Sequence, residues 1–200
     1  MTDAEGLEQR FLERLRARDE RAFNELVTVY QERVFGLVLK ILGRRDEAED
    51  MSQEVFVQVF KAIDQFRGDS KLGTWIYRIA VNLCKNRSQY LARRYSQKQD
   101  ELEGAEHLLA DANALQSSVS LQQPDHLLQG HEMERIVHAA LVSIELEFRE
   151  VLVLRDVEDL SYDEIVEITG LPVGTVKSRI HRARLMLKEE VSRITGEKIE

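Results

Sequence analysis

One cysteine, one tryptophan and two prolines are all that this 200-residue sequence has of those types, and each scarcity excludes something. The lone Cys84 leaves no internal disulfide and no multi-cysteine zinc site; it reads as a small packed side chain and agrees with a reducing, cytoplasmic setting. Two prolines and ten glycines argue against a loop-rich or fibrous chain. No apolar run approaches the roughly 20 residues that span a bilayer, so no direct membrane insertion is expected. The opening MTDAEGLEQR is acidic and polar, unlike a secretory signal. A glycine-rich phosphate loop, a metal-spaced His/Cys set and a nucleophile–base pair are all missing. The expectation is therefore a protein that is not an enzyme and holds neither cofactor nor metal.

What the chain does have is helical periodicity. Apolar residues make up 43% of it and recur at helix spacing nearly throughout, with almost no strand signal. A short helix is expected over 5–18 and a long one over 20–42. The second carries a stripe of Phe23, Leu26, Val27, Tyr30, Val34, Leu37, Val38 and Ile41, and Gly43 stops it. A third helix over 46–64 buries Ala48, Met51, Val55, Val59 and Ile63. After a loop bracketed by Gly68 and Gly73, a fourth spans 74–94 with Ile76, Ile79, Ala80 and Leu83 inward. Periodicity then decays over 97–130, which contains QSSVSLQQ and Pro124 and reads as a flexible linker. It returns with helices over 132–145 and 147–157, and two more follow. The fold class is all-α: two small helical domains, 1–96 and 131–200, joined by a flexible linker.

Charge is segregated. The formal net charge is -8, yet residues 67–98 hold eight basic residues and one acid, Asp69. Residues 100–132 hold seven acids and no base; residues 175–188 hold five bases and no acid. Two basic segments flanking an acidic one mark local surfaces with different partners.

The second basic segment lies in LSYDEIVEITGLPVGTVKSRIHRARLML, which has the layout of a helix-turn-helix. Ser161 and Glu164 form a capping box, and Gly170 closes the first helix. In the second helix Val176, Ile180, Ala183 and Leu187 face inward. Lys177, Ser178, His181, Arg182 and Arg184 then point outward, as major-groove reading and phosphate contact require. His181 has no second ligand at metal-binding spacing.

The first basic segment, FRGDSKLGTWIYRIAVNLCKNR at 66–87, surrounds the tryptophan. Arg78, Asn82, Lys85 and Gln89 share one face of its helix, opposite Ile76, Ile79 and Leu83. Trp75 adjoins the FRGDSKLG loop, where two glycines permit close backbone approach. An aromatic face, basic residues and an Asn-bearing helix could hold a base drawn from the duplex. Tyr77 fits the core and the DNA side equally.

In combination these segments resemble a bacterial RNA polymerase sigma factor of the extracytoplasmic function (ECF) group, sigma-70 family. DMSQEVFVQVFKAID resembles region 2.2, the 66–87 segment regions 2.3 and 2.4, and the helix-turn-helix region 4.2; the likeness covers about residues 20–95 and 132–190. It implies that Asp50, Gln53 and Glu54 meet core polymerase. It implies that Phe66, Arg67, Asp69, Ser70, Trp75, Arg78, Asn82 and Lys85 serve the −10 element, and Lys177, Ser178, Arg179, His181, Arg182 and Arg184 the −35 element. The implied partners are promoter DNA and core RNA polymerase, through the clamp of the largest subunit and the flap of the second-largest. A cognate anti-sigma factor, soluble or membrane-bound, is a further one. The acidic linker would thread toward the active-site cleft. Two departures are visible. Ile144-Glu145 stands where the group often has Leu-Pro, and His181 stands where an aromatic or basic residue is frequent. A helix-turn-helix regulator with a helical sensor domain would account for 131–200 equally, but not for the tryptophan-bearing basic segment or the acidic helix before it.

Overall fold

The structure, a computed structural model, describes residues 3–102 and 125–197. Helix α1 is Asp3–Arg16, ending earlier than the periodicity suggests because Arg18 turns the chain at φ 60°. Asp19 then starts α2, Glu20–Leu42: its carboxylate accepts from the backbone N–H of Arg21 at 2.8 Å and of Ala22 at 3.1 Å. Gly43 ends α2 at φ 80°, its N–H donating to the Leu39 carbonyl. Helix α3, Arg45–Ala62, tightens into a 3-10 turn over Ile63–Gln65. Helix α4 is Leu72–Leu102, α5 is Asp125–Ser143, and α6 is Leu146–Leu152, continued by a π-helical turn over Val153–Val157. Helix α7, Tyr162–Thr169, carries the expected capping box between Ser161 and Glu164 and ends at Gly170 (φ 71°). Helix α8 is Val173–Thr195. No strand occurs among the described residues.

Two further helix limits depart from the periodicity. Helix α4 runs past residue 94 to Leu102, and α5 begins at Asp125 rather than near 132, so both reach into the span read as linker. Residues 96–102, SQKQDEL, include good helix formers without an apolar stripe. Loss of periodicity there removes the burial signal, not helix propensity. The central part of the linker, 103–124, lies outside the described residues, as does its expected flexibility.

The two helical units share one apolar core. Leu26, Leu37, Ile41, Val55, Val59, Ile76 and Ala80 belong to the same buried cluster as Leu141, Phe148, Val151, Leu154, Ile165, Val176 and Ile180. Each fully buried Leu, Ile or Val contributes about 1.5–3 kcal/mol relative to exposure. The junction is tight at the end of α2, where a Cβ on Gly43 would come within 2.7 Å of both Val142 γ-methyls. There the Arg149 guanidinium donates to the Ile41 carbonyl at 2.7 Å, and also to the Val142 and Ile144 carbonyls. One half-buried cation thus caps the last turns of α2 and α5 together. Desolvation lowers its pKa to about 10, which leaves it charged.

Candidate nucleic-acid interface

The tryptophan-bearing loop is built from below. The Arg16 Nη2 donates to the Phe66 carbonyl at 2.7 Å, and Arg18 pairs with Asp64 at 2.6 Å. Arg16 ties the end of α1, and Arg18 the turn after it, to the chain entering the loop, a role for the first 18 residues that the sequence did not reveal. Phe66, expected on the DNA-facing side, is instead buried. Its ring lies 5.3 Å from that of Trp75, tilted at 46°, and so backs the indole. An aromatic at a loop start cannot be assigned to core or surface from spacing alone. Arg67 and Asp69 are exposed, and Gly68 adopts φ 82° in open space. Asp69, Ser70, Thr74, Trp75 and Arg78 line a cleft of about 220 Å³, and Glu167 of α7 forms its remaining wall.

Along α4 the expected face divides. Arg78 and Asn82 are exposed. Lys85 is half-buried, its Nζ 3.2 Å from Oε1 of Glu150 on α6. Tyr77, open between two readings, is 5% exposed and joins the core; its hydroxyl donates to Glu158 at 2.8 Å. Desolvation, reinforced by that bond, holds the phenol well above its usual pKa. At the helix start the Lys71 Nζ reaches Oε1 of Glu164 at 2.9 Å. The Lys71 hydrogen bond, helped by the Ser161 N–H, lowers the Glu164 pKa to about 2. Glu150 is the reverse case. Burial raises its pKa against the pull of Lys85, and its Oε2 has no hydrogen-bond partner among the described residues. Cys84 beside it is fully buried, which pushes its thiol up to about 12.

The second basic face stands on α8. Val176, Ile180 and Ala183 are buried, while Lys177, Ser178, His181 and Arg182 are exposed. The Lys177 ammonium lies 5.3 Å from the centre of the Tyr162 ring. The Ser178 hydroxyl donates to the Thr175 carbonyl at 3.0 Å. Two expected contacts are engaged within the protein: Arg179 pairs with Glu147 at 2.6 Å, and Arg184 grips Asp156 through two bonds of 2.8 and 2.5 Å. On α3, Asp50 and Gln53 are exposed; Glu54 is half-buried and accepts from Gln58 at 2.6 Å. The carboxylate of Glu47 on the same helix is covered and gripped by Arg87. Arg149, Glu150 and Glu158 were missed because each acts on a partner distant in sequence.

Sigma-70 region 2 matches residues 26–95, and Sigma-70, region 4 matches residues 135–187. The RNA polymerase sigma-H factor of Pseudomonas aeruginosa is 38% identical over 177 residues, 88% of this chain and 90% of that protein. The ECF RNA polymerase sigma-E factor of Escherichia coli (strain K12) is 38% identical over 184 residues, covering 92% and 94% respectively. Among solved structures, the sigma factor RpoE from Bartonella quintana, in complex with the anti-sigma factor NepR, aligns with a TM-score of 0.61 at 24% identity. It covers 85% of this chain and 96% of that one. CnrH, in complex with the cytosolic domain of CnrY, aligns at a TM-score of 0.63 and 21% identity, over 92% and 96%. These two likenesses extend to the fold.

Proposed function

The chain belongs to the sigma-70 family, in its ECF group, and directs core RNA polymerase to promoters; we propose that it does so with α4 reading and opening the −10 element and α8 reading the −35 element. The observation that carries this is the pair of separate basic faces on an acidic chain, one with Trp75 on a cleft wall and one on a helix-turn-helix. Arg67, Arg78 and Asn82 meet the −10 strand, and the cleft of Asp69, Ser70 and Trp75 takes an unstacked base. Phe66 backs the indole. Lys177, Ser178, His181 and Arg182 face the −35 duplex, and Arg179 and Arg184 join them once released from Glu147 and Asp156.

Exposed Asp50 and Gln53, with Glu54, meet the polymerase clamp; the second helical unit meets the flap. The protein works in the cytoplasm as a non-enzymatic initiation factor, with residues 1–96 and 131–200 as its two functional units. An anti-sigma factor is a further partner. No helix among the described residues is long and apolar enough to cross a membrane.

The decisive measurement is run-off transcription with purified core polymerase on a genomic fragment from upstream of the protein's own gene. Specific binding and transcription should require core, because an acidic chain gathers little counterion-release energy on its own. Tight, sequence-specific binding by the free protein would overturn the proposal in favour of an ordinary helix-turn-helix regulator.

A further inference from the structure

Three arginines close α1 and the turn after it, and one of them is used differently from the others. Arg14 pairs with Asp19 and Glu25, and Arg18 with Asp64. Arg16 is half-buried and pairs with no acid among the described residues; its one polar contact there is the Phe66 carbonyl, at 2.7 Å. A guanidinium on a neutral oxygen balances no charge. It fixes the place of that oxygen.

The place it fixes is the entry to the Trp75 loop. The Phe66 N–H already donates to the Ile63 carbonyl at 3.1 Å, so both backbone polar groups of Phe66 are held. Its side chain is 3% exposed, and its ring lies 5.3 Å from the indole. Just beyond, no hydrogen bond ties Arg67, Gly68 or Asp69 to the rest of the described chain. The indole therefore leans on a residue pinned by α1, while the loop in front of it is unpinned.

We propose that Arg16 is a positioning residue for base capture: by pinning Phe66 it keeps the Trp75 indole set on its cleft wall while the loop ahead is free to admit a base. The inference rests on the reading of that cleft as the receiver of an unstacked −10 base. It gives α1 a part in promoter opening without any contact to DNA. Two rings in tilted contact hold each other's orientation, so displacing Phe66 displaces the indole. An orientation set beforehand does not have to be found at the moment of capture.

Trp75 is the only tryptophan in the chain, so its fluorescence reads the indole alone. Arg16→Met keeps the aliphatic stem and removes the donors, and Arg16→Lys keeps a donor. Phe66→Leu leaves the carbonyl held and removes the ring. Arg14→Ala loosens α1 from α2 without touching Phe66 and is the control. In the full-length free chain, Arg16→Met and Phe66→Leu should each raise acrylamide quenching of Trp75 by about twofold, as the side chain gains freedom. Arg16→Lys and Arg14→Ala should stay near wild type. In the holoenzyme, Arg16→Met should slow permanganate-detected promoter opening by about tenfold, the scale of one lost charge-assisted hydrogen bond. Closed-complex affinity should be unchanged, Arg16→Lys should restore the rate, and Phe66→Leu should slow opening in the same way. Equal quenching and equal opening rates for Arg16→Met and Arg14→Ala would reduce Arg16 to a tie that docks α1 and overturn the proposal. So would a Phe66→Leu chain normal in both readouts. Trp75→Ala, run in parallel, separates two kinds of failure. Normal opening in that variant removes the base-capture reading itself; slow opening there with normal opening in Arg16→Met removes only the positioning role.

Discussion

The Lys85 ammonium lies 3.2 Å from Oε1 of Glu150. The two residues sit on opposite helical units, so a cation of the proposed −10 face is neutralised by an acid of the −35 unit. The pair is more than half hidden on the lysine side and almost wholly on the other, with exposures of 32% and 2%. Its disruption is therefore not a surface event.

Lys85→Met should destabilise the free chain by about 3–5 kcal/mol at neutral pH, the cost of leaving a buried carboxylate uncompensated. The Glu150 pKa, already raised by burial, should rise further once its cation is gone. A carboxyl whose folded pKa lies above its unfolded value costs nothing below the unfolded value. Its penalty grows as pH climbs through the folded one. The deficit should thus shrink toward acid pH, and Lys85→Met/Glu150→Leu should recover much of it. Urea unfolding at several pH values measures this; a deficit independent of pH would contradict it.

Gly43→Ala should loosen the junction twice over. A side chain at φ 80° costs roughly 1–2 kcal/mol from left-handed backbone alone. The added Cβ also meets Val142 at 2.7 Å. Adding Val142→Ala should relieve the contact but not the backbone part, so thermal unfolding of the double variant should lie above Gly43→Ala and below Val142→Ala alone. An unchanged melting temperature for Gly43→Ala would show that the units do not meet there.

Glu164 supplies a pH signature of the opposite sign. Its pKa falls from 4.5 to about 2, chiefly through Lys71. The stability it lends is therefore present above about pH 4.5 and is lost as pH drops toward 2. Lys71→Met should bring the Glu164 pKa back up, leaving the Ser161 bonds opposed by burial. Carboxyl carbon-13 titration of the two chains reads this directly. A Glu164 pKa unmoved by Lys71→Met would exclude the contact in solution.

On α8, Arg182→Ala and Lys177→Ala should each weaken use of the −35 element, by roughly 1–3 kcal/mol for a bidentate base contact and less for a phosphate contact. Footprinting of the holoenzyme provides the measurement. Normal −35 protection by both variants would remove α8 from that role.

Trp75→Ala and Asn82→Ala should impair strand opening more than closed-complex formation, since base capture follows an unstacking that costs a few kcal/mol. Permanganate reactivity of promoter thymines should fall, and a pre-melted template should restore much of the activity. A defect untouched by pre-melting, in variants with normal helicity, would place these residues elsewhere in the mechanism.

Much of this architecture was legible in residue order because its signals are local. The stripe of α2 and its Gly43 stop, the Ser161–Glu164 capping box and the inward set Val176, Ile180 and Ala183 each rest on residues within a few helical turns, where backbone geometry alone sets who faces whom. The two concentrations of positive charge were equally plain. What tertiary structure alone decided is how those charges are spent. Lys85 against Glu150, Lys71 against Glu164, Arg184 against Asp156 and Arg149 across the ends of two helices join residues far apart in the chain. Phe66 turned inward and Tyr77 was drawn into the core for the same reason. Sequence periodicity says which face of a helix seeks burial; only the packing of one unit on the other determines what covers it.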